Sequence, residues 1–263
     1  MDFKKKVLGV IPARLKSSRL PNKPLVKILG KTLIQRTYER ALACSLLDKL
    51  VVATDDASIY EHVVSFGGVA VMTSPDCKNG TERIAEAVQN ESSLQEFEWI
   101  INIQGDEPLL EENVIAKVIE ALQQKDHPLM ASACMLLKTE EEAKNPSIVK
   151  CVFNSSQNAL YFSRALVPHG KGGFKSDQTY YKHIGVYGYQ KDFLLQYAKL
   201  PETPLQLAED LEQLKALEHG VLIRLALVDS ESLGVDTPED IKKVEALLCK
   251  QNSFLSQAGS ALP

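Results

Sequence analysis

Arg14, Arg19 and Lys23 crowd one short polar segment, and two carboxylates far along the chain, Asp106 and Asp236, carry the complementary charge. Three cations in one loop suit a polyphosphate. Planar guanidinium groups grip phosphate oxygens through two parallel hydrogen bonds, and a lysine adds a mobile point charge. The alternative reading of the same residues is a solvated basic loop. The segment contains neither G-x-G-x-x-G nor G-x-x-x-x-G-K-[ST], which excludes a Rossmann dinucleotide site and a P-loop. Asn22 stands where glycine would be unremarkable, and asparagine also tolerates left-handed backbone.

Asp106 ends the string Gln104-Gly105-Asp106, and magnesium is commonly held by one or two carboxylates together with substrate phosphates. The competing role is an aspartate that caps a turn before Pro108. Asp236, in Gly234-Val235-Asp236-Thr237-Pro238, has the same two readings, because aspartate is among the best helix N-caps and Pro238 suits a first helical turn. On one rim, the two carboxylates can hold two magnesium ions about a phosphoryl centre. Arg164 follows Tyr161-Phe162-Ser163, and His183 and Tyr187 lie at even strand spacing, so their side chains face one side of a sheet. A cation, an imidazole and a phenol suit a polyhydroxy acid; a buried pair with satisfied hydrogen bonds explains His183 and Tyr187 equally. Glu212 and Gln213 fall within a helix predicted over 205–218, whose apolar stripe is Leu207, Leu211, Leu214 and Leu217, with Glu212 off that stripe on a solvated face. No nucleophile triad can be assembled, so covalent catalysis has no support.

The elements that must position these groups alternate. Short apolar runs at 7–11, 50–53, 69–72, 99–103 and 221–228 predict buried strands, and segments of helical period between them predict βα units around a mostly parallel sheet. Thr32 caps a predicted helix running to about Ala43, Asp55-Asp56 opens the next and Gly67-Gly68 ends it, and Gly80-Thr81-Glu82-Arg83 leads into a third. The candidate cations then occupy the first βα connection, where open α/β sheets bind phosphates. From about Met130 to Tyr189 the pattern turns strand-like around a polar insert, His169 to Thr179, which predicts a smaller β-rich subdomain within 130–190 of one domain spanning 1–263.

Composition bounds the function. The 263 residues carry a formal net charge of −4, so any anionic ligand must be held by a local basic cluster, and the basic footprint of a nucleic-acid binder is missing. Five cysteines, odd in number and with no CxxC pair, read as free thiols in a reducing compartment. The apolar run near the N-terminus is shorter than a signal-peptide core and no stretch is long enough to cross a bilayer, which together predict a cytoplasmic protein without membrane insertion.

In order along the chain, Ile11-Pro12-Ala13-Arg14, Ser18-Arg19-Leu20-Pro21 with Lys23-Pro24-Leu25, Val52-Ala53-Thr54-Asp55, Gly80-Thr81-Glu82-Arg83, Gln104-Gly105-Asp106-Glu107-Pro108, Tyr161-Phe162-Ser163-Arg164, His183 to Tyr189, Leu211-Glu212-Gln213-Leu214 and Gly234 to Asp240 together resemble the 3-deoxy-manno-octulosonate cytidylyltransferases (CMP-KDO synthetases). The resemblance spans nearly the whole chain. It implies a nucleotide-diphosphosugar-transferase-like α/β fold, CTP and KDO as substrates, magnesium dependence with two ions beside the bound nucleotide, a homodimer built through the middle region, and a place in bacterial lipopolysaccharide assembly. It further implies that Arg14, Arg19 and Lys23 contact the triphosphate, Ala13, Thr81, Arg83 and Gln104 the cytidine, and Arg164, His183, Tyr187, Glu212 and Gln213 the sugar acid. Asp106 and Asp236 become the metal ligands; with Arg14 and Lys23 they form the catalytic set. Two departures touch loop geometry: Asn22 replaces the family's usual glycine, and the 169–179 insert has no match. Against a sialic-acid enzyme stands the extended Ser18 to Leu25 string, and against a glycosyltransferase the lack of Asp-x-Asp at Gln104-Gly105-Asp106.

Overall fold

In the computed structural model, which describes residues 5–16, 20–230 and 233–259 with side chains through 250, β1 (Val7–Ala13) forms the axis of the sheet. Its side chains alternate: Val7, Ile11 and Ala13 enter one core cluster while Leu8 and Val10 enter the other, as a strand buried on both faces must. A hairpin of β2 (Lys27–Ile28) and β3 (Lys31–Thr32) follows and was not legible in the sequence. Thr32 then caps α1 (Leu33–Leu42), its hydroxyl accepting from the Gln35 N–H. Next come β4 (Lys49–Thr54), α2 (Ala57–Ser65) capped by Asp56, β5 (Ala70–Met72), α3 (Gly80–Asn90) capped by Asn79, β6 (Trp99–Asn102) and α4 (Glu112–Leu122).

The second half holds β7 (Met130–Leu136), α5 (Glu140–Lys144), β8 (Lys150–Phe153), β9 (Ala159–Ser163), β10 (Tyr181–Gln190), α6 (Lys191–Tyr197), α7 (Pro204–Glu209), α8 (Glu212–Glu218), β11 (Ile223–Leu227) and α9 (Pro238–Gly259). The sheet runs β11-β7-β10-β6-β1-β4-β5, with β8 and β9 branching from β10. β1 pairs in parallel with both β4 and β6, β4 pairs in parallel with β5, and β10 runs antiparallel between β6 and β7. Helices α1, α2 and α4 cover one face of the sheet, and α3, α6 and α8 the other. The result is a mixed, mostly parallel sheet between helical layers.

The chain leaves β1 for β4 and β5 on one side and returns to β6 on the other. That reversal makes the carboxyl ends of β1 and β6 a topological switch point, a crevice into which neither crossover packs. Gly105 permits the close approach of the two loops there, since a Cβ would meet Ile11 Cγ2 and the Pro12 carbonyl at 3.3 Å.

The helix predicted over 205–218 divides in two. Asp210 adopts left-handed backbone (φ 52°), which ends α7, and α8 starts afresh at Glu212. Leu207 is consequently exposed, and Glu212, placed on a solvated face by the unbroken pattern, opens a helix whose next residues Gln213 to Ala216 are buried. Even spacing survives better in β10: a bulge between Ile184 and Tyr187 shifts the register by two residues, so His183 and Tyr187 keep to one face.

Asn22 adopts φ 53°, ψ 32° at the entrance to the 3-10 turn Lys23–Leu25, a left-handed conformation that asparagine tolerates better than most residues other than glycine. Asn22→Ala should lower stability by about 1 kcal/mol and Asn22→Gly by much less, as measured by urea unfolding; equal losses would show that the left-handed turn is not what selects the residue.

Candidate active site

A cleft of about 810 Å³ opens at the switch point, lined by the ends of β1 and β6, the 3-10 turn, the N-terminus of α3 and the loop before α9. Its cations are Arg14, Lys16, Lys23, Lys78 and Arg83, and its carboxylates Asp106 and Asp236. Lys23 Nζ donates to Asp106 Oδ2 at 2.7 Å and to Asp236 Oδ1 at 2.8 Å. Burial disfavours the Lys23 ammonium, but the two carboxylates outweigh it and raise its pKa above the ordinary lysine value.

Neither carboxylate is spent on capping. Thr237 and Asp240 cap α9 reciprocally: Asp240 Oδ2 accepts from the Thr237 N–H at 3.0 Å, and Thr237 Oγ1 accepts from the Asp240 N–H at 3.4 Å. Asp236 is thereby left to face Lys23. The Val235 N–H donates to the Asp106 carbonyl at 2.8 Å and so ties the two loops together. Behind them Leu20, Ile28, Leu33, Leu109, Val235 and Val244 form a small core, worth about 2 kcal/mol per fully buried side chain. It holds the start of α9 against the β2–β3 hairpin.

Ala13, Arg14, Lys23, Arg83, Gln104, Asp106 and Asp236 line the cleft together; Arg19 lies outside the described residues. Arg83 is buried, with Nη1 donating to Thr73 Oγ1 at 2.6 Å and Nη2 3.4 Å from Asp55 Oδ2, so the ends of β4 and β5 fix it. Gln104 donates to Asn102 Oδ1 at 3.1 Å. Thr81, one residue inside α3, is buried away from the cleft lining, where its hydroxyl faces Glu212. Lys16, Lys78 and Asn79 complete the cleft and were not singled out from the sequence, although an asparagine before Gly80-Thr81-Glu82 is a recognisable cap signal.

The residues read as a sugar-acid pocket cluster beside the cleft, not in its lining. Tyr187 donates from its hydroxyl to Gln213 Oε1 at 3.1 Å, and the His183 and Tyr187 rings lie 5.3 Å apart. Gly185 connects the cluster to the cleft, since a Cβ there would sit 3.5 Å from Gln104 Cγ and 3.8 Å from Glu107 Oε1. Burial lowers the His183 pKa to about 3 and raises those of Tyr187 and Glu212, while the Thr81 hydroxyl and Lys215 pull Glu212 partly back. Arg164 takes a different position: its guanidinium donates to the carbonyls of Glu209 at 2.8 Å and Asp210 at 3.2 Å. Glu209, invisible to sequence reasoning, accepts from Ser163 Oγ at 2.6 Å and the Arg164 N–H at 2.9 Å. Burial opposes its ionisation, but these bonds prevail and hold its carboxyl below the ordinary range.

Among the described residues no group of three or more histidine, cysteine or carboxylate side chains could hold a metal. Two hard carboxylates converging beside clustered cations nevertheless fit magnesium, which commonly completes its shell with water and phosphate oxygens. No helix among the described residues is long and apolar enough to cross a membrane.

The switch-point cleft gathers clustered cations and a converging carboxylate pair where open α/β sheets bind their ligands. A cytidylyltransferase family model matches residues 8–223. A 3-deoxy-manno-octulosonate cytidylyltransferase of Protochlamydia amoebophila is 54% identical over 95% of this chain and 96% of its own length. The mitochondrial enzyme of the same description from Arabidopsis thaliana is 46% identical over 95% of this chain and 86% of its own. The solved structure of CMP:2-keto-3-deoxy-manno-octonic acid synthetase complexed with CTP superposes with TM-score 0.87 at 39% identity, covering 94% of this chain and 100% of that one. The chain belongs to the 3-deoxy-manno-octulosonate cytidylyltransferase family. A 4-diphosphocytidyl-2C-methyl-D-erythritol synthase at 16% identity and TM-score 0.63 shares the fold.

The buried Glu212 carboxyl generates a pH dependence. With its native pKa raised, the folded state keeps a proton that the unfolded chain has released, so stability falls as pH rises from the ordinary glutamate range through the raised value. Glu212→Gln should flatten that decline in urea melts taken across the range; an identical decline in the variant would assign it to another group.

Proposed function

We propose that this chain transfers the cytidylyl group of CTP to 3-deoxy-D-manno-octulosonate, yielding CMP-KDO and pyrophosphate. The observation that carries the reading is the Asp106–Lys23–Asp236 bridge inside a cationic cleft at the switch point, in a chain whose relatives are described by that activity.

The C2 hydroxyl of the sugar attacks the α-phosphorus in line, and pyrophosphate departs from the opposite side. Arg14, Lys23 and the neighbouring Lys16 supply positive charge where negative charge grows on the phosphate oxygens. Arg83, Gln104 and Ala13 line the wall that receives the cytidine, with Arg83 immobilised by Thr73 and Asp55. Asp106 and Asp236 would hold magnesium, two ions with the nucleotide present, which supplies Lewis acidity and charge neutralisation around the phosphates. The His183, Tyr187, Glu212 and Gln213 cluster, entered past Gly185, receives the sugar; Arg164 joins it by releasing the Glu209 and Asp210 carbonyls. No side chain becomes covalently modified.

The same reading includes a homodimer through the middle region, supported by exposed leucines on β7 and β9 (Leu136 and Leu160). It also places the enzyme in the cytoplasm, supplying lipopolysaccharide assembly.

Incubation with CTP, magnesium and a panel of acid sugars should release pyrophosphate with KDO; release of a nucleoside mono- or diphosphate instead would identify a glycosyltransferase of related fold. Asp106→Asn and Asp236→Asn should each lower kcat on the order of a hundredfold with a far smaller change in CTP affinity. An unchanged kcat in both would remove the metal assignment.

A further inference from the structure

Ser132 sits wholly buried on β7, opposite the bulge in β10 that carries His183 and Tyr187. Its Oγ lies 2.8 Å from His183 Nε2, 2.8 Å from the Val186 carbonyl and 3.3 Å from the Ile184 carbonyl. A serine hydroxyl has one proton, and a carbonyl oxygen can only accept. Were Nε2 bare, it would take that proton and leave Oγ facing the Val186 oxygen lone pair to lone pair at 2.8 Å. With the proton on Nε2 both short contacts are satisfied: the ring donates to Oγ, and Oγ donates to the Val186 carbonyl, the nearer of the two carbonyls.

We infer that Ser132 is a positioning residue that locks His183 in the neutral Nε2–H tautomer, so that Nδ1 reads a donating hydroxyl of the polyhydroxy acid. Among the described residues the His183 ring makes its hydrogen bond through Nε2, and none engages Nδ1. The ring plane is held by Phe162, edge-on at 5.0 Å, and by Tyr187 at 5.3 Å. Burial keeps the ring uncharged at neutral pH, its pKa lowered to about 3, so it offers no cation to a carboxylate. A neutral ring whose other nitrogen is committed to a buried hydroxyl is an acceptor of fixed direction, the arrangement by which second partners usually set a histidine tautomer. Such a site refuses a substrate lacking the matching hydroxyl, because the bare nitrogen would be buried unpaired.

The assignment of Nδ1 to the sugar rests on the function proposed above; the tautomer does not. Long-range 15N–1H correlation spectra of the ligand-free wild-type protein at neutral pH, with the His183 signal assigned by its loss in His183→Phe, should show Nε2 protonated and Nδ1 bare. A protonated Nδ1, or a doubly protonated ring, overturns the inference without any variant having to fold. In Ser132→Ala the second tautomer should appear and the KM for KDO should rise about tenfold, the scale of one buried hydrogen bond, with the KM for CTP little changed. Ser132→Thr, which keeps the hydroxyl, should restore both. A changed tautomer with an unaltered sugar KM overturns the assignment of Nδ1 to the sugar. Failure of the wild-type protein to form CMP-KDO would instead sink the proposed function and leave the spectra to judge the tautomer alone.

Discussion

A single ammonium group organises the cleft. Asp106 and Asp236 reach it from distant segments of the chain, and without Lys23 between them their like charges would repel across the cleft. Exposed ion pairs contribute at most about 1 kcal/mol, and both carboxylates are partly exposed, so the bridge is better understood as setting position than as stabilising the fold. Its value lies in what it fixes: two hard acceptors and one cation within a few ångströms, aimed at one point.

Everything around that bridge serves to bring the three groups together. Parallel pairing of β1 with β4 and β6 delivers the cationic loop and the Asp106 loop to one rim. The reach from Asp106 to Asp236 is closed by one backbone hydrogen bond and a small apolar core, which seat α9 with a cap of its own, Thr237 with Asp240, beside the aspartate that meets Lys23. The division of labour between adjacent residues is physical. Thr237 and Asp240 turn oxygens back onto the first turn of α9, while Asp236 turns its Oδ1 to Lys23.

The neighbouring cluster is built on the opposite principle. Where the cleft gathers charge, the space around His183, Tyr187 and Glu212 is dry enough to drive each of these groups toward its neutral form. Neutral donors and acceptors discriminate hydroxyl patterns by direction, whereas charges discriminate mainly by sign. A half built of charges beside a half built of neutral groups is a division suited to one polyanionic and one polyhydroxylated substrate. Arg164 stands apart from that second half, its guanidinium resting on the backbone carbonyls that end α7.

The sequence by itself determined the alternation of strands and helices, the mostly parallel sheet, the loop in which the cations fall, and the family. Each of these rests on local period or on contiguous strings such as Gln104-Gly105-Asp106, which survive without knowledge of distant contacts. It left Asp106 and Asp236 suspended between ligand and cap, because a cap is defined by where a side chain points and not by its place in a string. It also ran a helix straight through Asp210, since apolar spacing cannot register one residue of left-handed backbone, and it offered no sign of Ser132 or Glu209, whose partners lie 51 and 46 residues away. Those choices belonged to tertiary structure, because hydrogen bonds and ion pairs between remote segments acquire direction only after the sheet has set the segments side by side.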